Sequence, residues 1–295
     1  MLGHLQTVLA SLFPPPRVAL RRERWETPDG DFVDVDFAGN PGAKRTVLAL
    51  HGLEGCSNSH YARAIAAHAA ARGWRCVLPH FRGCSGEPNR TQRAYHSGDT
   101  AELDWLLTKF SDPVCAVGIS LGGNVLLKWL GERGEAAKRL VHRAAAVSAP
   151  LDLAAAGNAL DRGVNRLVYT AHFLSTLRPK SLAKLERFPG LYDRDKVRRA
   201  RTFREFDNLV TAPLHGFRDV DDYWSRASCG QWLEFIRVPT LVLNARNDPF
   251  LPEQALLAAS RKVPACVLLE FPRHGGHVGF GHRWLAQRLF GFLEQ

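Results

Sequence analysis

The sequence predicts an α/β fold: a mostly parallel, doubly wound sheet, opened by an antiparallel hairpin and interrupted by one long helical insertion. Three observations predict it. Apolar runs of strand length recur along the chain and end at glycine or small polar residues. Helical patterns without breakers lie between them, the alternation expected of parallel strands joined by crossover helices. Residues 151–235 then break that alternation with helical spacing and no clear strand, and a stretch of that length is too long for a plain loop. The reading assigns residues 1–150 and 236–295 to the α/β core and 151–235 to a helical cap insertion.

Taken in order, residues 24–39 carry an Asp-Gly turn followed by Phe32, Val33, Val35 and Phe37, which reads as a hairpin. TVLALHG at 46–52 is a strand buried on both faces. The Ala-rich segment 59–72 is a helix ending at Gly73, and WRCVLPHF at 74–81 is a second buried strand. A turn-rich loop, RGCSGEPNR, leads to an amphipathic helix over 100–110, with Asp99 as its cap. VCAVGIS at 114–120 and AAAVSAP at 144–150 are further strands, with a helix over 121–134 between them. After the insertion come strands at 238–245 and 265–271, and helices near 252–260 and 282–294. Within the insertion, Leu167, Val168, Phe173, Leu174, Leu177, Leu182, Leu185 and Phe188 recur at near-helical spacing. Apolar faces of that kind are expected to bury, and the open strand ends are the surface left for them.

Composition excludes several classes. Apolar residues make up 45% of the 295 and charged residues 23%, which supports a large core and excludes wholesale disorder. The six cysteines are scattered, with no CxxC, so neither a disulfide framework nor a structural zinc site is expected. No apolar run approaches the ~20 residues that span a bilayer, and the N-terminus is a poor signal peptide. The expectation is a cytoplasmic protein without a transmembrane anchor. The net charge of +10 comes from arginine spread along the chain, so no specific nucleic-acid partner is expected. Without HExxH, a P-loop or a strand-following GxGxxG, neither a metal nor a cofactor is implied. Nothing in the sequence signals an oligomeric state.

The chemistry concentrates in a few segments. Gly118-Ile119-Ser120-Leu121-Gly122 is a GxSxG sequence between a buried strand and a helix. A sharp turn there would strain the serine backbone, and Gly118 and Gly122 remove side chains that would clash. Ser120 is the candidate nucleophile. A serine hydroxyl needs a base, and the base an orienting acid. In the chain order of such sites, Ser then acid then His, the candidates are Asp248 in RNDPF and His277 in HGGHVGF, both after strands. Asp152 is the rival acid, and His274 and His282 are rival bases. Backbone amides of Leu121 and of Leu53, in HGLEG after the first buried strand, are the candidate oxyanion donors. Glu54 in that loop is a surface carboxylate or a pocket wall.

These residues belong to a longer series: GHLQT at 3–7, HGLEGCSNSHYAR at 51–63, FRGCSGEPNR at 81–90, YHSGDT at 95–100, GISLGGNVLLKWLGE at 118–132, TFREFDNLVTAPLHGF at 202–217, NARNDPF at 244–250 and GGHVGF at 275–280. With this series the chain resembles the AB hydrolase 4 family, the YheT-like hydrolases of the α/β-hydrolase superfamily, over about nine tenths of its length. The resemblance implies the α/β-hydrolase fold and a charge relay on Ser120, Asp248 and His277. It also implies hydrolysis of a small-molecule carboxylic ester, without a cofactor. The same machinery can pass the acyl group to an alcohol or thiol. Eukaryotic members carry an N-terminal membrane anchor, and the first 20 residues here depart from that pattern. Asp207, in the 202–217 segment, reads as structural.

Overall fold

The structure, a computed structural model, describes residues 1–295. Its sheet has eight strands: β1 (Arg21–Glu26), β2 (Phe32–Gly39), β3 (Thr46–Leu50), β4 (Arg75–Pro79), β5 (Val114–Ile119), β6 (Val141–Val147), β7 (Thr240–Leu243) and β8 (Val267–Glu270). The spatial order is β1-β2-β4-β3-β5-β6-β7-β8. β1 and β2 form the antiparallel hairpin, β2 pairs antiparallel with β4, and the remaining pairs are parallel.

The continuous apolar runs become central strands because both of their faces are covered. Leu48, Leu50, Ala116, Ala144, Ala146 and Val242 face one layer, which includes the helix Leu121–Arg133. Their alternate neighbours Val47, Ala49, Val117, Ala145, Val147, Leu241 and Leu243 face the other, with the helix His60–Ala71 and the C-terminal helix His282–Leu293. Burying each of these leucines and valines contributes about 1.5–3 kcal/mol, and each alanine roughly 0.8. The helices in chain order are α1 (Leu2–Leu12), α2 (His60–Ala71), α3 (Thr100–Leu107), α4 (Leu121–Arg133) and α5 (Leu153–Leu160), which opens the insertion. The Asp99 carboxylate caps α3 by accepting from Glu102 N.

Alternation places Asp34 and Asp36 on one face of β2, yet that face is not solvent. Arg24 Nε donates to Asp34 at 2.7 Å, and Asp36 accepts from Arg22 Nε at 2.7 Å and from Ser57 Oγ at 2.6 Å. Both carboxyls are held below the ordinary aspartate range: burial pushes them up, but the hydrogen bonds and nearby cations outweigh it.

Residues 151–235 hold helices Leu153–Leu160, Ala171–Arg187, Arg194–Arg199, Phe203–Phe206 and Val220–Ala227. They pack on cores of their own around Phe203, Tyr223 and Trp224 and around Leu174, Val197 and Phe206. One expectation needs correction. Leu174 and Leu185 are buried, but Leu167 and Val168 are 71% and 49% exposed. They lie on a π-helical turn, Arg166–Thr170, whose wider spiral removes them from the register of the following helix. N-terminal to the hairpin, Leu2–Leu12 form α1, an element for which the periodicity reading gives no helix.

Candidate active site

Ser120 sits where β5 ends and α4 begins, with φ +53° and ψ −118°. That left-handed conformation costs a non-glycine residue about 1–3 kcal/mol, and close packing of the turn enforces it. A Cβ at Gly118 would lie 2.4 Å from Gly122 O, and one at Gly122 would lie 2.6 Å from His51 O and 2.7 Å from Leu50 O. Both glycines are therefore required by space.

The β3 loop closes over the serine. His51 Nε2 accepts from Phe81 N at 3.0 Å, so its proton is on Nδ1, which donates to Gly52 O at 2.7 Å. Burial lowers the His51 pKa to about 3, which keeps the ring neutral. Tyr61 Oη accepts from Gly52 N at 2.9 Å. This fixes the backbone that leads to Leu53, and Leu53 and Leu121 line the same cavity as Ser120.

The two loops after β7 and β8 bring the other candidates together. His277 Nδ1 lies 2.8 Å from Asp248 Oδ2, and His277 Nε2 lies 2.9 Å from Ser120 Oγ. A carboxylate only accepts, so Nδ1 carries the proton and Nε2 is left to accept from the serine hydroxyl. The Asp248 side chain is fully buried, and its Oδ1 accepts from Phe250 N at 2.8 Å. The Phe250 ring lies 4.2 Å from the imidazole centroid. The rivals stand elsewhere. Asp152 caps α5 by accepting from Ala155 N, His274 is exposed, and His282 Nε2 hydrogen-bonds Phe13 O. Glu54 pairs with Lys180 at 2.8 Å and accepts from Tyr95 Oη at 2.9 Å, on the wall of a neighbouring cleft.

Ser120 opens on a cavity of about 110 Å³, lined by Leu53 and Phe250 and by Leu153, Leu160, Phe203 and Trp224 from residues 151–235.

A match to the α/β-hydrolase fold family model covers residues 45–282. YheT of Escherichia coli, named an esterase, is 41% identical over 98% of this chain and 89% of its own length. The chain belongs to the α/β-hydrolase family, in its AB hydrolase 4-like branch. The phospholipase ABHD3 of Homo sapiens is 30% identical over 94% of this chain and 71% of its own. Among solved structures, the esterase EaEST of Exiguobacterium antarcticum superposes with a TM-score of 0.62 at 16% identity, covering 93% of this chain and all of that one. At that identity the likeness is one of fold.

This hydrolase-family chain uses residues at the site that the motif reading did not assign. Ser148, at φ +49°, accepts from Val278 N through Oγ at 3.0 Å. Half of the side-chain acceptors for the backbone N–H groups of the His277 loop come from α1. Thr7 Oγ1 accepts from His277 N at 2.8 Å, and Gln6 Oε1 accepts from Asn247 Nδ2 at 2.8 Å and Gly275 N at 3.2 Å. Gly3 packs so closely that a Cβ there would meet Asn247 O at 2.0 Å. The GHLQT segment thus ties the loops of Asp248 and His277 together. The signal was present in the sequence: Gly3, Gln6, Thr7 and Ala10 share one stripe of a helix whose opposite face is leucine. Thr7 is a positioning residue in this arrangement. Thr7→Val is expected to lower kcat about tenfold with KM unchanged, since it leaves the His277 N–H without an acceptor. Thr7→Ser should restore the rate. An unchanged kcat in Thr7→Val would remove the role.

Asp207, read from the sequence as structural, also lines the cavity. It is half-buried and accepts from Thr211 Oγ1 at 2.7 Å and Trp224 Nε1 at 2.8 Å. Desolvation outweighs both bonds and raises its pKa to about 6. A carboxyl raised in the folded state favours folding most below its unfolded pKa, and that contribution is lost as pH rises through about 6. Asp207→Asn should therefore gain stability relative to wild type between pH 4 and 7, on the order of 3 kcal/mol. Urea midpoints of both proteins across that range measure it, and a pH-independent difference would exclude an ionising Asp207.

Proposed function

We propose that the chain is a serine esterase that cleaves short- to medium-chain carboxylic esters through an acyl-enzyme. The observation that carries this reading is the hydrogen-bonded series Ser120–His277–Asp248 opening into a largely apolar cavity. Ser120 Oγ attacks the acyl carbon while His277 Nε2 takes the hydroxyl proton. The oxyanion that forms is held by the backbone N–H groups of Leu53 and Leu121, the latter at the positive end of α4. His277 then protonates the departing alcohol. Water enters, gives its proton to His277 and cleaves the acyl-enzyme, and that proton returns to Ser120. Asp248 keeps the imidazole in the tautomer that accepts at Nε2 and stabilises the cation it becomes. The names of the relatives, an esterase and a phospholipase, support the reaction class.

In the same reading, residues 151–235 are a cap over the core of 1–150 and 236–295. Its apolar side chains exclude water from the acyl-enzyme and set the acyl length. The cavity of about 110 Å³ is smaller than the ~300–1,000 Å³ typical of sites for drug-sized ligands. With p-nitrophenyl esters, kcat/KM should accordingly peak at short acyl groups and fall as the chain lengthens. A preference for acyl chains of about twelve carbons would refute the size argument. Absence of hydrolysis across the whole panel would refute the esterase reading.

A further inference from the structure

We infer that the outer face of α1, together with the turn at 163–168, docks on an anionic lipid surface. α1 is turned inside out relative to an ordinary surface helix. Its small and polar stripe, Gly3, Gln6, Thr7 and Ala10, lies toward the body, while Leu2, Leu5, Val8, Leu9 and Leu12 are exposed, as is the following Phe13. The patch does not stop at the helix. The His4 ring stacks on Tyr169 with centroids 5.7 Å apart, which brings α1 against the turn that exposes Val164, Leu167 and Val168. At the other end, His282 Nε2 hydrogen-bonds Phe13 O, and Trp284 nearby is half exposed. Exposed apolar side chains on three adjoining segments are unusual on a protein that meets only water, and they mark a contact face.

Charge selects the occupant. No Asp or Glu occurs in residues 1–22 or 162–185, the two segments that supply most of this face. Their cations Arg17, Arg162 and Arg166 are exposed. Apolar side chains flanked by arginine, without a carboxylate among them, match lipid headgroups that carry negative charge above an acyl layer. No helix is long and apolar enough to cross a membrane, so the contact is peripheral. The face also adjoins the catalytic cavity: Tyr169 packs on Phe250 at 4.6 Å, and Phe250 covers His277. Docking would therefore set the cavity beside the lipid layer.

The test is co-sedimentation of the full chain with phosphatidylcholine vesicles, with and without about one-third phosphatidylglycerol. Binding to the anionic vesicles should be at least about tenfold tighter and should weaken with salt. The double variant Leu9→Asp/Leu12→Asp and, on the separate turn, Leu167→Asp should each lose about tenfold or more of that binding. Both should keep wild-type thermal unfolding and hydrolyse a soluble short ester as wild type does. Absence of vesicle binding by wild type, or equal binding by both variants, would overturn the inference. So would a dimer that these variants dissolve and that competes with vesicles, because the occupant would then be a second copy of the chain. Vesicle binding is measured without substrate, so its failure is separable from failure of the esterase reading.

Discussion

Ser120→Ala is expected to lower ester hydrolysis by about four to six orders of magnitude and to abolish covalent labelling by a fluorophosphonate. In the proposed mechanism the loss falls on kcat, because the hydroxyl would make the bond to the acyl carbon and no neighbour could replace it. His277 Nε2 at 2.9 Å has no other hydroxyl of this chain as a hydrogen-bond partner. The fold should survive. The turn is held by Gly118 against Gly122 and by Gly122 against the β3 carbonyls, and alanine removes only Oγ. Folding is checked by near-ultraviolet circular dichroism and a melting curve. Labelling of the variant at the wild-type level would remove Ser120 from the nucleophile role.

Asp248→Asn is expected to reduce kcat about 10⁴-fold with little change in KM. The geometry gives the reason. Oδ1 of Asp248 accepts from Phe250 N, and an asparagine would keep that bond with its carbonyl oxygen. Its amide nitrogen would then face His277 Nδ1, where Asp248 Oδ2 now accepts at 2.8 Å. A donor at that place favours the tautomer with the proton on Nε2, which cannot accept from Ser120. Asp248→Ala frees the ring without imposing the wrong tautomer and should also lose the anchor of the 248–250 turn. A fall of less than about tenfold in Asp248→Asn would mean that another group orients His277.

The fold class was legible because parallel strands buried on both faces have few alternatives. TVLALHG, VCAVGIS and VPTLVLNA are too short for helices and too apolar for loops, and each became a central strand. Boundaries were less legible. The strand read from Ala144 begins at Val141 and ends before Ser148, because pairing with β5 and β7 decides where the ladder stops. The candidate site was legible for a local reason. GxSxG, the acid before Pro249 and the histidine after two glycines are each written in one short segment, and a doubly wound sheet brings strand ends to one edge.

The turn at 163–168 shows where pattern reasoning stops. Near-helical spacing placed Leu167 and Val168 in an apolar stripe, but one π-helical turn shifts the register and leaves them outward. α1 shows the same limit from the other side. A helix with leucines on one face would ordinarily bury them, and this one buries its glycine and approaches the site with its glutamine and threonine.

By itself, the sequence determined the α/β class, the helical stretch between β6 and β7, and the candidates for the chemistry. Those follow from periodicity, steric need for glycine and side-chain chemistry, all of which act within a few residues. Only the tertiary structure decided that Asp248 rather than Asp152 faces His277, that Asp207 lines the cavity, and that the first helix holds the histidine loop. Each of these depends on which surfaces meet across 29 to 270 residues of chain. The free energy of such a meeting comes from groups that share no local pattern, so it becomes visible only once the chain has folded.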